Sequence, residues 1–451
     1  MISPAPRALI AGTGSGCGKT TLVCAILQAL KNRGHDVAAF KCGPDYIDPM
    51  FHSEIIGAQS ANIDLYFAGE ARARERFLAH AAELNLVEGV MGYYAGLSME
   101  SSDCSSWDVA RALDAPAILV VNGRGMALSI AAAVRGFQNF RSPSRIRGVI
   151  LNRVSAMSYP RLKQVIESEC GVRVYGYLPA CPDCALESRH LGLVTAQEVD
   201  GLKEKMLRLA RLAEDCIDLD GLIALMRAQS PLAAEEAPIQ PLGRARIAVA
   251  RDRAFCFYYR DNLELLEALG AELAPFSPLA GDILPECDGV YIGGGYPELY
   301  AERLSGNREM LASLRAAVGR GLPMIAECGG FMLLGARIGE HPMACALPAS
   351  SQNMGKLTRF GYAEFTARRD GLLLREGEAI RGHEFHYWDA DMPGDALCAR
   401  KPGGRSWNCA WMTEALYAGY PHLYFYSNID AARRFVRKCI EGRTRRETNG
   451  H

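Results

Sequence analysis

The apolar positions of the chain fall in short unbroken runs rather than in strict alternation. In the first half these are ALIAG (8–12), VAAFK (37–41), LNLVEGV (84–90), AILVVN (117–122), GVILNRV (148–154) and VYGYLP (174–179), with stretches of helical period between them. A run that is apolar on both faces suits a strand covered by helices on either side, so the pattern predicts an α/β fold built on a parallel sheet. Leu22, Val23, Ile26, Leu27 and Leu30 recur at the helix period after the first run, and Gly34 marks where that helix stops. Residues 229–245, QSPLAAEEAPIQPLGRA, are rich in Pro, Ala and Glu and read as a linker. The pattern then restarts, with strand candidates RIAVARD (246–252), GVYIGGG (289–295), PMIAECGG (323–330) and HLYFYSN (422–428). This divides the chain into a first domain over 1–230, a linker over 231–245, a second domain over 246–440 and a polar, frayed tail over 441–451.

Composition narrows the class. A length of 451 residues exceeds one core, and 49% apolar with 22% charged residues describes a soluble globular chain. A net charge of −1 supplies no basic field for nucleic acid, and no charge block points to an anionic membrane. No apolar run approaches the roughly 18 residues of a membrane span, and the N-terminus runs directly into a first strand, unlike a signal peptide. The fifteen cysteines are odd in number and irregular in spacing, which fits reduced thiols in the cytoplasm. Cys181-Pro-Asp-Cys184 has His190 nearby but no evident fourth ligand, so a loop with two thiols is preferred over a zinc site.

The first strand leads into a glycine-rich turn, Gly12, Thr13, Gly14, Ser15, Gly16, Cys17 and Gly18, followed by Lys19, Thr20 and Thr21 opening the helix. Successive backbone N–H groups and a helix N-terminus form an anion cradle. Lys19 is placed to reach the β- and γ-phosphates, and Thr20 to ligate Mg²⁺. The strict G-x-x-x-x-G-K-[ST] spacing needs Gly at position 13, where Thr13 stands, and the leading glycine is Gly12. This longer loop resembles that of dethiobiotin synthetase and its relatives. Asp45 and Asp48 flank Tyr46 and Ile47 in a Pro-bounded loop after the second strand. Such a pair either holds a hard cation or forms an Asp-rich turn. Glu88 ends the third run, where parallel sheets bind ligands, and reads as a Walker-B-like acid or a helix cap.

In PMIAECGGFMLLG (323–335) a strand ends at Cys328 and a helical run begins after Gly329-Gly330. A thiol on such an elbow stands clear of the sheet, and the following helix N-terminus is expected to lower its pKa. The alternative is a buried small hydrophobe, against which the Gly-Gly argues. His341, His383, His386 and His422 are the candidate bases, with His422 preferred as the opening residue of a later strand. Gly294 and Gly295, in YIGGGYPE (291–298), together with the amide of Gly329, are candidate oxyanion donors.

Taken together, KCGPDYIDPMFH, EGVMG, GVILNRV, RHLGLVTAQE, AFCFYYRDNLELL, FSPLAGDILPECDGVYIGGGYPE, AECGGFMLLG and RGHEFHYWD resemble the cobyrinate a,c-diamide synthase family over nearly the whole chain. The resemblance implies a dethiobiotin-synthetase-like P-loop ligase domain fused to a flavodoxin-like class I glutamine amidotransferase domain. It implies ATP and Mg²⁺ as cofactors, cobyrinate or a related tetrapyrrole and L-glutamine as substrates, and an ammonia path between the domains. A homodimer is compatible with it. By the same resemblance Cys328 is the glutaminase nucleophile. Asp45, Asp48 and Glu88 lie in the ligase site with Lys19 and Thr20, with Thr20, Asp45 and Glu88 toward the metal, and Asn152 falls where related folds contact adenine. Tyr46 and Ile47 are the candidate contacts to the macrocycle. Several positions depart from the family pattern: Ala95 replaces an acid, Asn122 replaces a strand-ending Asp, and His422-Leu423-Tyr424 carries one histidine where two are usual. No triad Glu is visible, which leaves a Cys–His dyad. Hydrogenobyrinate and nickel sirohydrochlorin remain alternative substrates. A P-loop switch with an inactive second domain is the rival of another class, disfavoured by Gly14 where such switches carry Lys.

Overall fold

The computed structural model describes residues 1–184, 201–235 and 237–449, without the side chains of 445–449. RHLGLV and His190 lie outside the described residues. The chain divides into two units, 1–236 and 237–451.

The first unit holds seven parallel strands: β1 (Arg7–Gly12), β2 (Val37–Cys42), β3 (Gln59–Ile63), β4 (Leu84–Glu88), β5 (Ala117–Asn122), β6 (Ile146–Asn152) and β7 (Arg173–Leu178). Their order across the sheet is β3-β2-β4-β1-β5-β6-β7. Its helices are α1 (Lys19–Asn32), α2 (Leu65–Ala79), α3 (Ser106–Ala112), α4 (Ser129–Phe140), α5 (Tyr159–Cys170), α6 (Leu202–Cys216) and α7 (Leu219–Arg227). Leu9, Ala11, Val87 and Leu119 share one core with Phe77, Val109, Ile130 and Ile166 of α2 to α5. Ile10 points to the opposite face by strand alternation and is fully buried, and α1 packs against α6. β3, QSANI, is a strand the apolar pattern does not signal, because as an edge strand it needs apolar residues on fewer of its positions. The stretch read as a linker begins with Leu232–Ala233, which pairs antiparallel with Ile2–Ser3.

The second unit has two main sheets. β8 (Ala245–Ala250), β9 (Ala271–Phe276), β10 (Gly289–Ile292) and β11 (Met324–Glu327) belong to the first. β12 (Arg359–Ala367), β13 (Ala379–His386), β14 (Leu397–Arg400) and β15 (Ser406–Cys409) belong to the second. β16 (Trp411–Met412) and β17 (Leu416–Gly419) return to the first sheet, and β18 (His422–Leu423) joins the second. The first runs β9-β8-β10-β11-β17-β16, five parallel strands with β16 antiparallel at the edge. Its parallel strands follow the 2-1-3-4-5 order of a flavodoxin-like sheet. The second is antiparallel, β15-β14-β12-β13-β18. Helices α8 (Arg260–Ala268), α9 (Arg308–Gly319), α10 (Gly329–Leu334) and α11 (Ile429–Asn449) belong to the unit, with a short helix Ala301–Gly306 before α9. Residues 441–449, read as a frayed tail, continue α11.

The run HLYFYSN is not the parallel strand expected of it. The fifth parallel strand is β17, LYAG, and only His422–Leu423 are extended, in the antiparallel sheet. Tyr424 and Phe425 are apolar because they are buried, and Phe425–Ser427 is a 3₁₀ turn. Among the described residues no helix is long and apolar enough to cross a membrane.

Arg7 ties the first unit together. Its side chain has no exposed surface. Nε donates to Leu113 O (2.5 Å), Nη1 to Pro4 O and Ala5 O (3.2 Å each), and Nη2 to Asp114 O (3.3 Å) and Ser230 O (3.1 Å). Every donor direction of the guanidinium is thus spent on backbone carbonyls, with the bonds to Leu113 and Ala5 buried and the others partly so. Arg7→Ala should therefore destabilise the protein by about 3 kcal/mol, read from its urea midpoint, since the buried carbonyls of Leu113 and Ala5 lose their donor together. A loss under about 1 kcal/mol would mean that water takes over those carbonyls.

Candidate active sites

In the first unit the loop 13–18 lies between the end of β1 and the start of α1, at the centre of the sheet. Gly18, the N-cap of α1, has φ +92°, and a Cβ there would meet Asn152 Nδ2 at 2.0 Å, so only glycine fits. Asn152 Nδ2 donates to Cys17 O (2.7 Å) and Asn152 Oδ1 accepts from Arg153 N (2.9 Å). The Nδ2 end of this amide, expected at adenine, braces the loop, while the Oδ1 end is held by the following residue. Lys19 Nζ reaches back over the loop to Gly14 O (3.1 Å) and across to Met91 O (2.5 Å). Burial lowers its pKa.

The acids gather beside it. The register of β2 on β4 sets Lys41 against Glu88, and Lys41 Nζ lies 3.0 Å from Glu88 Oε1, 4.0 Å from Asp45 and in direct contact with Asp48 Oδ2. Thr20 Oγ1 donates to Glu88 Oε1 (2.5 Å), and His52 Nε2 lies 3.3 Å from Glu88 Oε2. Burial alone would raise the Glu88 carboxyl, but the Lys41 charge and the nearby His52 outweigh it and hold it well below the usual range. Asp45 and Asp48 are pushed up, by burial first and then by the neighbouring carboxylates. Lys19, Thr20, Asp45, Asp48 and Glu88 thus come together as the sequence suggested. Tyr46 and Ile47, expected as an apolar edge toward the macrocycle, are buried as Asp48 and Glu88 are, Ile47 with no exposed surface. Asp45 accepts from Ile47 N (2.8 Å), which turns that side chain inward.

In the second unit the elbow exists. β11 ends at Glu327, Cys328 has φ +48° and ψ −100°, and α10 begins at Gly329. This strained conformation is held by Cys328 N–H donating to Gly419 O (2.7 Å) and by Cys328 O accepting from Met332 N (3.0 Å). A Cβ on Gly294 would lie 2.4 Å from His422 Cε1, 3.2 Å from His422 Nε2 and 3.3 Å from Cys328 Cβ, so thiol and imidazole border one small space. Gly295 has φ +154°, and a Cβ there would sit 2.1 Å from Ala254 O; a Cβ on Gly329 would lie 3.3 Å from Gly295 N. Gly294 therefore lies beside both Cys328 and His422, and Gly295 beside Gly329.

One expectation fails here. Burial, with Glu298 next in weight, pushes the Cys328 thiol up, and the Gly329 N–H opposes this without overcoming it. A six-residue helix in a closed site supplies less than desolvation removes. Burial likewise drives His422 well below its usual pKa, assisted by His383 and His386. The pair therefore rests as thiol and neutral imidazole.

Residues 246–429 match the model of the CobB/CobQ-like glutamine amidotransferase domain, and residues 8–194 that of the CobQ/CobB/MinD/ParA nucleotide binding domain. A cobyrinate a,c-diamide synthase of Salmonella typhimurium is 41% identical, over 92% of this chain and 94% of that one. The same enzyme from Thermoplasma volcanium is 41% identical over 98% and 99%, and that of Gloeobacter violaceus 41% over 96% of each. The chain belongs to the cobyrinate a,c-diamide synthase family.

Lys41 and His52 escape a reading by motif, and His383 is read there only as one candidate base among four. Lys41 and His52 lie within KCGPDYIDPMFH but read there as ordinary strand and loop positions. His383, in GHEFHY, pairs with His422 across β13 and β18. Glu327 precedes the elbow: it accepts from Tyr291 OH at Oε2 (2.9 Å) and from Leu423 N at Oε1 (3.0 Å), tying β11 to the residue after His422. Burial raises its carboxyl from the ordinary 4.5 to about 8. The folded state thus keeps a proton that the unfolded chain releases. Its contribution to stability is complete below pH 4.5 and is lost as pH rises through 8. Melting temperature should therefore fall across this interval, and Glu327→Gln, which is always neutral, should flatten the slope. Parallel slopes for the two proteins would contradict a neutral Glu327.

Proposed function

We propose that the chain catalyses ATP-dependent amidation of the a and c acetate carboxylates of cobyrinate, with nitrogen from glutamine, in cobalamin biosynthesis. The observation that carries this is full-length kinship with curated a,c-diamide synthases, together with a phosphate loop and a thiol elbow in one chain. A carboxylate does not accept ammonia directly, because oxide is too poor a leaving group. In the first unit, a substrate carboxylate oxygen attacks the γ-phosphorus of ATP, giving an acyl phosphate and ADP. The N–H groups of the loop and the Lys19 ammonium take up charge on the transferring group. Thr20, Asp45 and Glu88 offer the hard oxygens that Mg²⁺ takes, and the repulsion that raises Asp45 and Asp48 is of the kind a divalent cation relieves. Mg²⁺ held there would neutralise phosphate charge.

In the second unit Cys328 Sγ attacks the side-chain amide of glutamine, and its proton passes to His422. The N–H groups of Gly294, Gly295 and Gly329 hold the oxyanion. His422 returns the proton to the departing nitrogen, releasing ammonia and leaving a thioester. Water, deprotonated by His422, then cleaves the thioester to glutamate. Ammonia displaces phosphate from the acyl phosphate to give the amide. The fifteen free thiols fit a reducing compartment, which we take to be the cytoplasm.

Cys328→Ala should lower glutamine-dependent amidation by roughly a thousandfold or more while amidation with concentrated ammonium chloride persists. If both activities vanish together, the division of labour is wrong. Asp45→Asn should lose amidation with either nitrogen source while some glutaminase remains; loss of glutaminase alone would contradict its assignment. Cobyrinate should lose about 1 Da per amide formed, over two steps, as O–H gives way to NH₂. Turnover of hydrogenobyrinate or nickel sirohydrochlorin in place of cobyrinate would redirect the substrate assignment.

A further inference from the structure

We infer that His383, steadied by Tyr259, is the positioning residue for His422, and that ring stacking does here what a third carboxylate does in three-membered sites. The inference rests on the reading of His422 as the proton-transfer group. Two residues after His422 stands Tyr424, whose hydroxyl donates to Asp261 Oδ2 (2.5 Å), so no side-chain carboxylate comes from that position. His383 is instead directly opposite His422 in the β13–β18 register. The two rings lie nearly parallel, 19° apart with centroids at 5.0 Å. The far ring is itself fixed. His383 Nδ1 shares a hydrogen bond with Tyr259 OH (2.9 Å), and Tyr259 meets Tyr424 edge to face, 5.5 Å between centroids and 83° between planes. Tyr259, His383, Tyr424 and Asp261 are all buried.

The neighbouring backbone is clamped as well. Leu423 N–H is held by Glu327, and Leu423 O accepts from Asn262 Nδ2 (2.7 Å). The main chain next to His422 is thus held, and what places the imidazole is its rotation about the side-chain bonds. A parallel ring across the strand pair removes that freedom, and Gly294 leaves room for Cε1 on the side of the thiol. A hydrocarbon side chain would fill the same volume without a hydrogen bond to fix its plane. His383 touches no reacting atom, so its effect belongs in kcat rather than in glutamine binding.

The test uses the full-length enzyme with ATP and cobyrinate, measuring glutamate release for His383→Ala, His383→Phe, Tyr259→Phe and His422→Gln, with thermal midpoints alongside. His383→Ala should lower kcat about ten- to hundredfold with the KM for glutamine within about twofold, because a misplaced proton acceptor costs turnover. His383→Phe, which keeps a flat ring but not the bond to Tyr259, and Tyr259→Phe, which keeps the imidazole but not that bond, should both fall between His383→Ala and the parent. The inference is overturned if His383→Ala turns over normally, if its defect lies in KM, or if the Phe variant is as impaired as the Ala variant. Should His383→Ala fail to fold, the Phe variant and Tyr259→Phe carry the same comparison. Glutaminase surviving in His422→Gln would instead remove the base assignment itself, and the proposed function's second half with it.

Discussion

Asp45, Asp48 and Glu88 approach one another at the ends of neighbouring strands, and they coexist because the Lys41 ammonium sits among them. Three buried carboxylates around one point repel and are poorly solvated, and both effects favour protonation. Lys41 comes from β2, whose register against β4 is set by buried apolar residues on both strands, so the core of the sheet delivers the cation to Glu88. With Glu88 kept anionic, Thr20 has a fixed acceptor, and Thr20 opens the helix on which the phosphate loop is built. The loop is then held from the other side by Asn152 through Cys17. Packing, charge and phosphate recognition form one chain of dependence here, with Lys41 at its head.

Glu88 and Glu327 make an instructive pair. Both are buried glutamates at the carboxyl end of a parallel strand, immediately before a turn toward a site. Lys41 and His52 hold the first ionised, while the second has a phenol and a backbone amide but no cation and stays protonated to about pH 8. Environment rather than residue type decides that one acid serves charge chemistry and the other serves as a neutral brace. The same reasoning covers Cys328. A thiol at rest in a closed site, beside a neutral imidazole, is a poor nucleophile toward passing electrophiles. In the proposed mechanism it becomes reactive when its proton moves to His422 as the amide carbon is attacked.

The parallel strands of the first unit were legible because buried strands read as apolar runs, and the loop because glycine, lysine and threonine at that spacing have few other uses. β3 and β9 were not, since each lies at the edge of its sheet, where polar residues and Pro275 are tolerated. The antiparallel sheet was missed because its strands alternate, as RFGYAEFTA does, and carry only half the apolar signal. HLYFYSN misled because burial in a 3₁₀ turn and burial in a strand leave the same composition. Within the sites, residues named by motif came together, while Ile47 turned inward and Asn152 went to the loop. Lys41, His52 and His383 act through other side chains, and a linear sequence shows nothing of a partner supplied by a neighbouring strand.

The central claim is that a nucleotide site activates a carboxylate by phosphorylating it, after which ammonia displaces phosphate. The most direct measurement follows oxygen: cobyrinate carrying ¹⁸O in its carboxylates is converted with ATP and glutamine, and the inorganic phosphate is analysed by mass spectrometry. An acyl phosphate requires one ¹⁸O to appear in phosphate for each amide formed. Unlabelled phosphate, with amide still accumulating, would contradict the account.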